Sequence, residues 1–143
     1  KSAMDNTWVL DSFAVLALLQ GEAGSDDVLA VLQEAQTGAA RVMMTWVSVG
    51  EVVHIVERRW GRDKVHHVLG MLEATALEIT DVDRDLALGA AAIKAKNPVA
   101  YADAFAAALA ISQDATLMTG DPEFQSLEDL VQIHWLPAKA TGP

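Results

Sequence analysis

Four carboxylates stand where short apolar runs give way to helical spacing: Asp11 behind TWVL, Glu51 in SVGEVV, Asp103 in YADAFAAALA and Asp121 in TLMTGDP. An aspartate directly behind a strand lies at that strand's carboxyl end. An acid in the first turn of the helix that follows can point back at the same edge, where open parallel sheets bind their ligands. Carboxylates gathered within a few ångströms repel one another, and burial raises their pKa values, so such a set persists only with a compensating cation. Oxygen ligands without thiolate or imidazole suit a hard divalent ion, Mg2+ or Mn2+. That ion can polarise a phosphate and lower the pKa of a bound water, which is the chemistry of phosphodiester hydrolysis.

Taken singly, each acid has a plainer reading. Asp11 before Ser12 can cap a helix, and Asp103 can be a first-turn aspartate favoured by the helix dipole. Glu51, three residues after Ser48, has the spacing of a capping-box partner. Asp121 ahead of Pro122 is a good N-cap with proline at the first helical position. Glu123, Asp81 and Asp83 also fall near strand ends; for Glu123 a peripheral ligand is the alternative, and a solvated helix residue the plainer reading.

Other chemistries find less support. His54, His66, His67 and His134 show no metal-ligand spacing, and no glycine pattern matches a P-loop or dinucleotide fingerprint. Ser12, Ser48 and Ser112 lack a histidine partner at any suggestive position. The chain has no cysteine, which excludes disulfides, thiolate metal sites and cysteine nucleophiles. Trp8, Trp46, Trp60 and Trp135 are scattered and read as core or interface anchors.

The elements that must position the acids alternate. TWVL, RVMMTW from Arg41, LEITDV from Leu77, TLMTGD from Thr116 and VQIHWL from Val131 read as strands. Helical spacing fills the intervals: FAVLALLQ after Asp11, a helix from Ser25 to Gly38, one opened by Ser48 and ended by Gly61, one from Arg62 to Ala76, one from Asp83 to Asn97, YADAFAAALAISQD, and a short DPEFQSLEDL. Strands separated by helices of ten residues or more pair in parallel through crossovers. The expected class is α/β, a central parallel sheet of about five strands with helices on both faces. If the first and fourth strands are neighbours, Asp11 and Asp121 come together.

The 143 residues, 52% hydrophobic and 21% charged, suit one packed domain, expected over 4–138. Residues 1–3 read as an expression-tag remnant and 139–143 as a C-terminal tail. No apolar run approaches the roughly 18–20 residues that span a bilayer, so a soluble, cytoplasmic protein without a membrane partner is expected. The net charge of −10 runs against tight RNA binding, which usually relies on a basic surface. It is compatible with divalent ions placed between carboxylates and phosphate.

On these residues the chain resembles the PIN domain, and within it the VapC toxins of bacterial and archaeal toxin–antitoxin pairs. YADAFAAALA followed by TLMTGDPEF is similar to the family's helix bearing an aspartate, the next strand and its Thr-x-Asp turn. VLDSFAVLALL resembles its first strand and acid, and SVGEVVHIVERR the helix carrying its glutamate. The resemblance runs from Thr7 to Leu136 and places the four family acids on Asp11, Glu51, Asp103 and Asp121. Ser12 and Thr119 fall at positions where the family often has a hydroxyl lining the site.

What the resemblance implies is a PIN-like three-layer fold and a toxin endoribonuclease (a nuclease and hydrolase) that is Mg2+- or Mn2+-dependent and cleaves RNA by metal-activated water. It also implies a homodimer held in check by a cognate VapB-type antitoxin, expected to place an Arg or Lys near the acids through a groove leading to them. The alternatives are a PIN nuclease of RNA processing without an antitoxin, and a non-cleaving RNA- or protein-binding module.

Overall fold

The computed structural model describes residues 6–137. The tag expected at 1–3 and the tail expected at 139–143 lie outside the described residues. Five strands, β1 (Thr7–Leu10), β2 (Arg41–Thr45), β3 (Glu78–Thr80), β4 (Thr116–Thr119) and β5 (Ile133–Trp135), form one sheet in the order β3-β2-β1-β4-β5, with every pair parallel. Parallel neighbours require crossovers. These are α1 (Ser12–Gln20) and α2 (Ser25–Gln36), then α3 (Trp46–Trp60) and α4 (Arg62–Ala74), then α5 (Arg84–Lys96) and α6 (Tyr101–Ser112). A 3-10 helix, Pro122–Leu127, links β4 towards β5.

The strand period of two divides the core. Leu10, Val42, Met44 and Met118 point to one face and pack with Val15, Val28, Val52, Val56 and Leu72 from α1 to α4. Val9, Met43 and Leu117 point to the other and pack against Ala90 of α5, the alanine-rich face of α6 and Phe124 of the 3-10 helix. Helices therefore cover both faces, as the alternation of elements predicts. Among the described residues no helix is long and apolar enough to cross a membrane.

Three local expectations are corrected. The start of α3 is Trp46 and not Ser48: the Thr45 hydroxyl accepts the Ser48 N–H at 3.0 Å and is the N-cap, so Glu51 has no part in a capping box. The segment from Leu77 pairs only over Glu78–Thr80, and the residues after Asp121 form a 3-10 helix, its N-terminus set by Pro122.

Candidate active site

Register builds the acidic edge. Leu10 lies beside Met118 in the β1–β4 pair, so the next residues along, Asp11 and Thr119, meet at the carboxyl end of the sheet. The Thr119 hydroxyl donates to Asp11 Oδ2 at 2.5 Å and accepts the Asp121 N–H at 3.0 Å, tying two acids from strands more than a hundred residues apart. Asp11 Oδ1 accepts the Ala14 N–H at 2.9 Å, and Asp121 Oδ1 accepts the Glu123 N–H at 3.0 Å. Both aspartates are thus helix N-caps and members of the acidic edge at once. Gly120 leaves room for this turn, since a Cβ there would stand 2.3 Å from Phe13 Cε1.

Asp103 enters from the first turn of α6. The residue is only 6% exposed, and among the described residues no donor reaches its carboxylate, whose oxygens keep their access to solvent. Instead it faces Asp121 and Glu123, each of the three offering an oxygen within 4.8 Å of the others. Glu51 lies further along the edge, in α3, where Ser12 donates a hydrogen bond to its Oε1. The sequence-expected acids Asp11, Glu51, Asp103 and Asp121 therefore share one edge, but the tightest set is Asp103, Asp121 and Glu123. Glu123 reads from sequence as solvated; its distance of two residues from the N-cap Asp121, in a turn closed by Pro122, was the available signal.

The electrostatics follow from this packing. Burial pushes the Asp11 carboxyl up from 3.8 to about 7, the hydrogen bonds from Thr119 and Ala14 opposing the rise and the charges of Asp121 and Glu51 adding to it. Burial likewise raises Asp103 from 3.8 to about 7, helped by Asp121, Asp11, Glu123 and Glu51 in that order. A buried carboxylate with no donor, facing two more carboxylates, is the environment that a hard divalent cation relieves. Asp103, Asp121 and Glu123 have the donor chemistry to hold one.

Thr119 is the keystone of the hydrogen bonding. Thr119→Val keeps the β-branched shape but leaves the Asp121 N–H without its acceptor and Asp11 Oδ2 without its donor. Loss of about 1–3 kcal/mol in urea unfolding is expected. A change within experimental error would show that the hydroxyl contributes nothing to the edge.

Comparisons with known proteins bear on the family and the fold. The model of the PIN domain family matches residues 8–130. The fold is similar to a chain in the structure of VapBC2 from Rickettsia felis bound to a DNA fragment from its promoter, at 14% identity and TM-score 0.71, covering 92% of this chain and 99% of that one. It is similar to a chain of DNA-bound VapBC from Salmonella typhimurium, at 18% identity and TM-score 0.70, covering 90% and 96%. It is also similar to VapC20 of Mycobacterium tuberculosis, described as a sarcin–ricin loop cleaving toxin, at 18% identity and TM-score 0.62, covering 84% and 94%. None of the curated protein sequences matches. The family match begins within β1, takes in the strands and helices that carry all five acids and ends beyond the 3-10 helix, and on that extent the chain belongs to the PIN domain family.

Proposed function

We propose that this protein is the toxin of a toxin–antitoxin pair, an endoribonuclease that depends on a divalent ion, Mg2+ or Mn2+. The observation that carries the reading is Asp103, buried and without a hydrogen-bond donor, facing Asp121 and Glu123 at the carboxyl edge of a PIN-domain sheet. Asp103, Asp121 and Glu123 would hold the ion, with Asp11 and Glu51 completing the acidic wall. When bound, the ion supplies Lewis-acid polarisation of a phosphate and a lowered pKa for water.

The chain's own residues supply the rest. Thr119 and the Ala14 N–H fix both oxygens of Asp11, so its carboxylate cannot swing away from the edge. A carboxyl near 7 can also take up and return a proton at neutral pH. Ser12 holds Glu51 toward the same edge, which keeps a second acid in place from the α1 side.

An antitoxin belongs to this reading, since the similar chains from Rickettsia felis and Salmonella typhimurium come from VapBC complexes. A groove of about 1150 Å³ between α1–α2 and α3–α4, lined by Leu29, Leu32, Val68 and Met71, suits the apolar face of an amphipathic segment from such a partner. A homodimer is proposed on the resemblance alone.

Incubating the purified chain with structured and single-stranded RNA tests the activity. Internal cleavage with Mg2+ or Mn2+ that stops when EDTA is added is expected. RNA left intact with both metals would remove the nuclease reading and leave a binding module.

A further inference from the structure

We propose that the basic turn joining α3 to α4 grips the RNA phosphodiester backbone to one side of the bond to be cut, reached from the acids along the groove between α1 and α3. This rests on the nuclease reading and says where on the molecule the substrate lies.

The charge distribution motivates it. The chain carries −10 overall, yet residues 54–67 hold four of its ten Lys and Arg (Arg58, Arg59, Arg62 and Lys64) against only Glu57 and Asp63. Three of its four histidines, His54, His66 and His67, lie in the same stretch. All four cations are exposed, and among the described residues Arg58 and Lys64 make no ion pair or hydrogen bond. Arg62 pairs with Glu57 at 3.5 Å, an exposed contact of little weight. The plain alternative is that these side chains offset helix dipoles. That accounts for Arg58 and Arg59 in the last turn of α3. It fails for Arg62 and Lys64, which open α4 at its positive end, where a cation is unfavourable. Arg62 has Glu57 and the same turn carries Asp63, so Arg58 and Lys64 are left as positive charge without a partner, for which a polyanion is the complementary one.

Geometry joins this turn to the acids. Ser12 bonds Glu51 at one end of the α1–α3 contact, and Arg59 Nη1 bonds Gln20 Oε1 at 3.3 Å at the other. Each helix advances eight residues between these two links, so they run alongside one another for about 12 Å. A cavity of about 160 Å³ lies between them, bordered by Phe13, Leu16, Ile55 and Arg59. Phe13 packs against Gly120, next to Asp121, and Arg59 borders the cavity from the other side, so the cavity lies between the neighbourhood of the acids and the first residues of the basic turn. Arg58 lies seven residues, close to two turns, beyond Glu51 and shares its side of α3. A phosphodiester at the acids can thus continue toward Arg58, with Glu22 the one acid bordering the cavity on the way.

The test uses the full chain carrying Asp11→Asn to suppress cleavage, with a fluorescent single-stranded RNA followed by anisotropy in Mg2+ over a range of salt. Arg58→Ala with Lys64→Ala is expected to weaken binding about tenfold and to make the slope of log K against log salt shallower by about 1.4, as for two lost phosphate contacts. Arg58→Lys with Lys64→Arg should keep binding, which separates lost charge from lost fold. Arg84→Ala with Lys96→Ala, on α5 across the sheet, should change neither quantity. Unchanged affinity and slope in the first pair, or equal losses in the first and third, overturns the location while leaving the nuclease reading intact. If the wild type neither cleaves RNA nor binds it, the nuclease reading falls first and this proposal falls with it.

Discussion

Asp103→Asn is expected to lower metal-dependent RNA cleavage by about three orders of magnitude while leaving the fold intact. The substitution is nearly isosteric, and Asp103 accepts no hydrogen bond that the amide would break. What it removes is one of three converging charges, a change in ion and transition-state stabilisation of about 4 kcal/mol at 1.36 kcal/mol per decade of rate. A second readout does not depend on activity. In the wild type, Mg2+ or Mn2+ at about ten times its Kd should stabilise the fold by about 1.4 kcal/mol, an increase in Tm of about 3–6 °C for a domain of this size. In Asp103→Asn that shift should vanish, and the metal-free protein should melt higher than the wild type because one repelling charge has gone. Asp11→Asn should also lose cleavage but keep part of the shift, since Asp11 lies outside the tightest set. Equal metal-induced shifts in wild type and Asp103→Asn would sink the assignment.

The layering of the fold was legible because short strand-forming runs alternate with helical spacing, and strands apolar on both faces fit a sheet covered on both sides: Val9 and Leu10 go to opposite cores, as do Met43 and Met44. The meeting of Asp11 with Asp121 was conditional on β1 and β4 being neighbours, and that pairing is a tertiary fact that spacing alone leaves open. Cap and site readings of Asp11 and Asp121 looked like alternatives from sequence. They coexist because a carboxylate has two oxygens with separate partners.

What was illegible has physical causes. Trp46 continues an apolar run, so the strand RVMMTW hid Thr45 as the cap and made Ser48 look like the start of α3. Glu123 joins the cluster through the cap of the 3-10 helix, where its N–H donates to Asp121 Oδ1 at 3.0 Å and holds the two residues together. The Ser12–Glu51 and Gln20–Arg59 links join residues 39 apart and have no local signature. Family resemblance supplied four acids, which the fold brings to one edge. It gave no hint that Asp103 alone among them lacks a donor.

The metal-free protein should become more stable as pH falls from 8 to 6, the reverse of the behaviour expected of salt-bridged carboxylates. The sign follows from the two raised groups. Asp11 and Asp103 have carboxyls at about 7 in the folded chain against 3.8 ordinarily, so below 7 the folded state binds protons that the unfolded state does not. Stability then falls with rising pH wherever the folded state holds the extra protons, from about pH 4 up through 7. One independent group near 7 gains about 1.4 kcal/mol between pH 8 and pH 6. The two acids repel each other, so the pair gains between one and two such increments, or roughly 3–10 °C in Tm. Below about pH 4 the unfolded carboxyls protonate as well and the advantage stops growing. Metal inverts the trend: the ion competes with those same protons, so its affinity should weaken by up to tenfold per proton displaced for each unit below 7, and the Tm increment from Mg2+ should be large at pH 8 and small at pH 6. Melting curves in EDTA and in Mg2+ at both pH values test the two arms together. A metal-free Tm that drops from pH 8 to pH 6, or a metal increment independent of pH, would mean that Asp11 and Asp103 are ionised throughout and that burial does not govern the acidic edge.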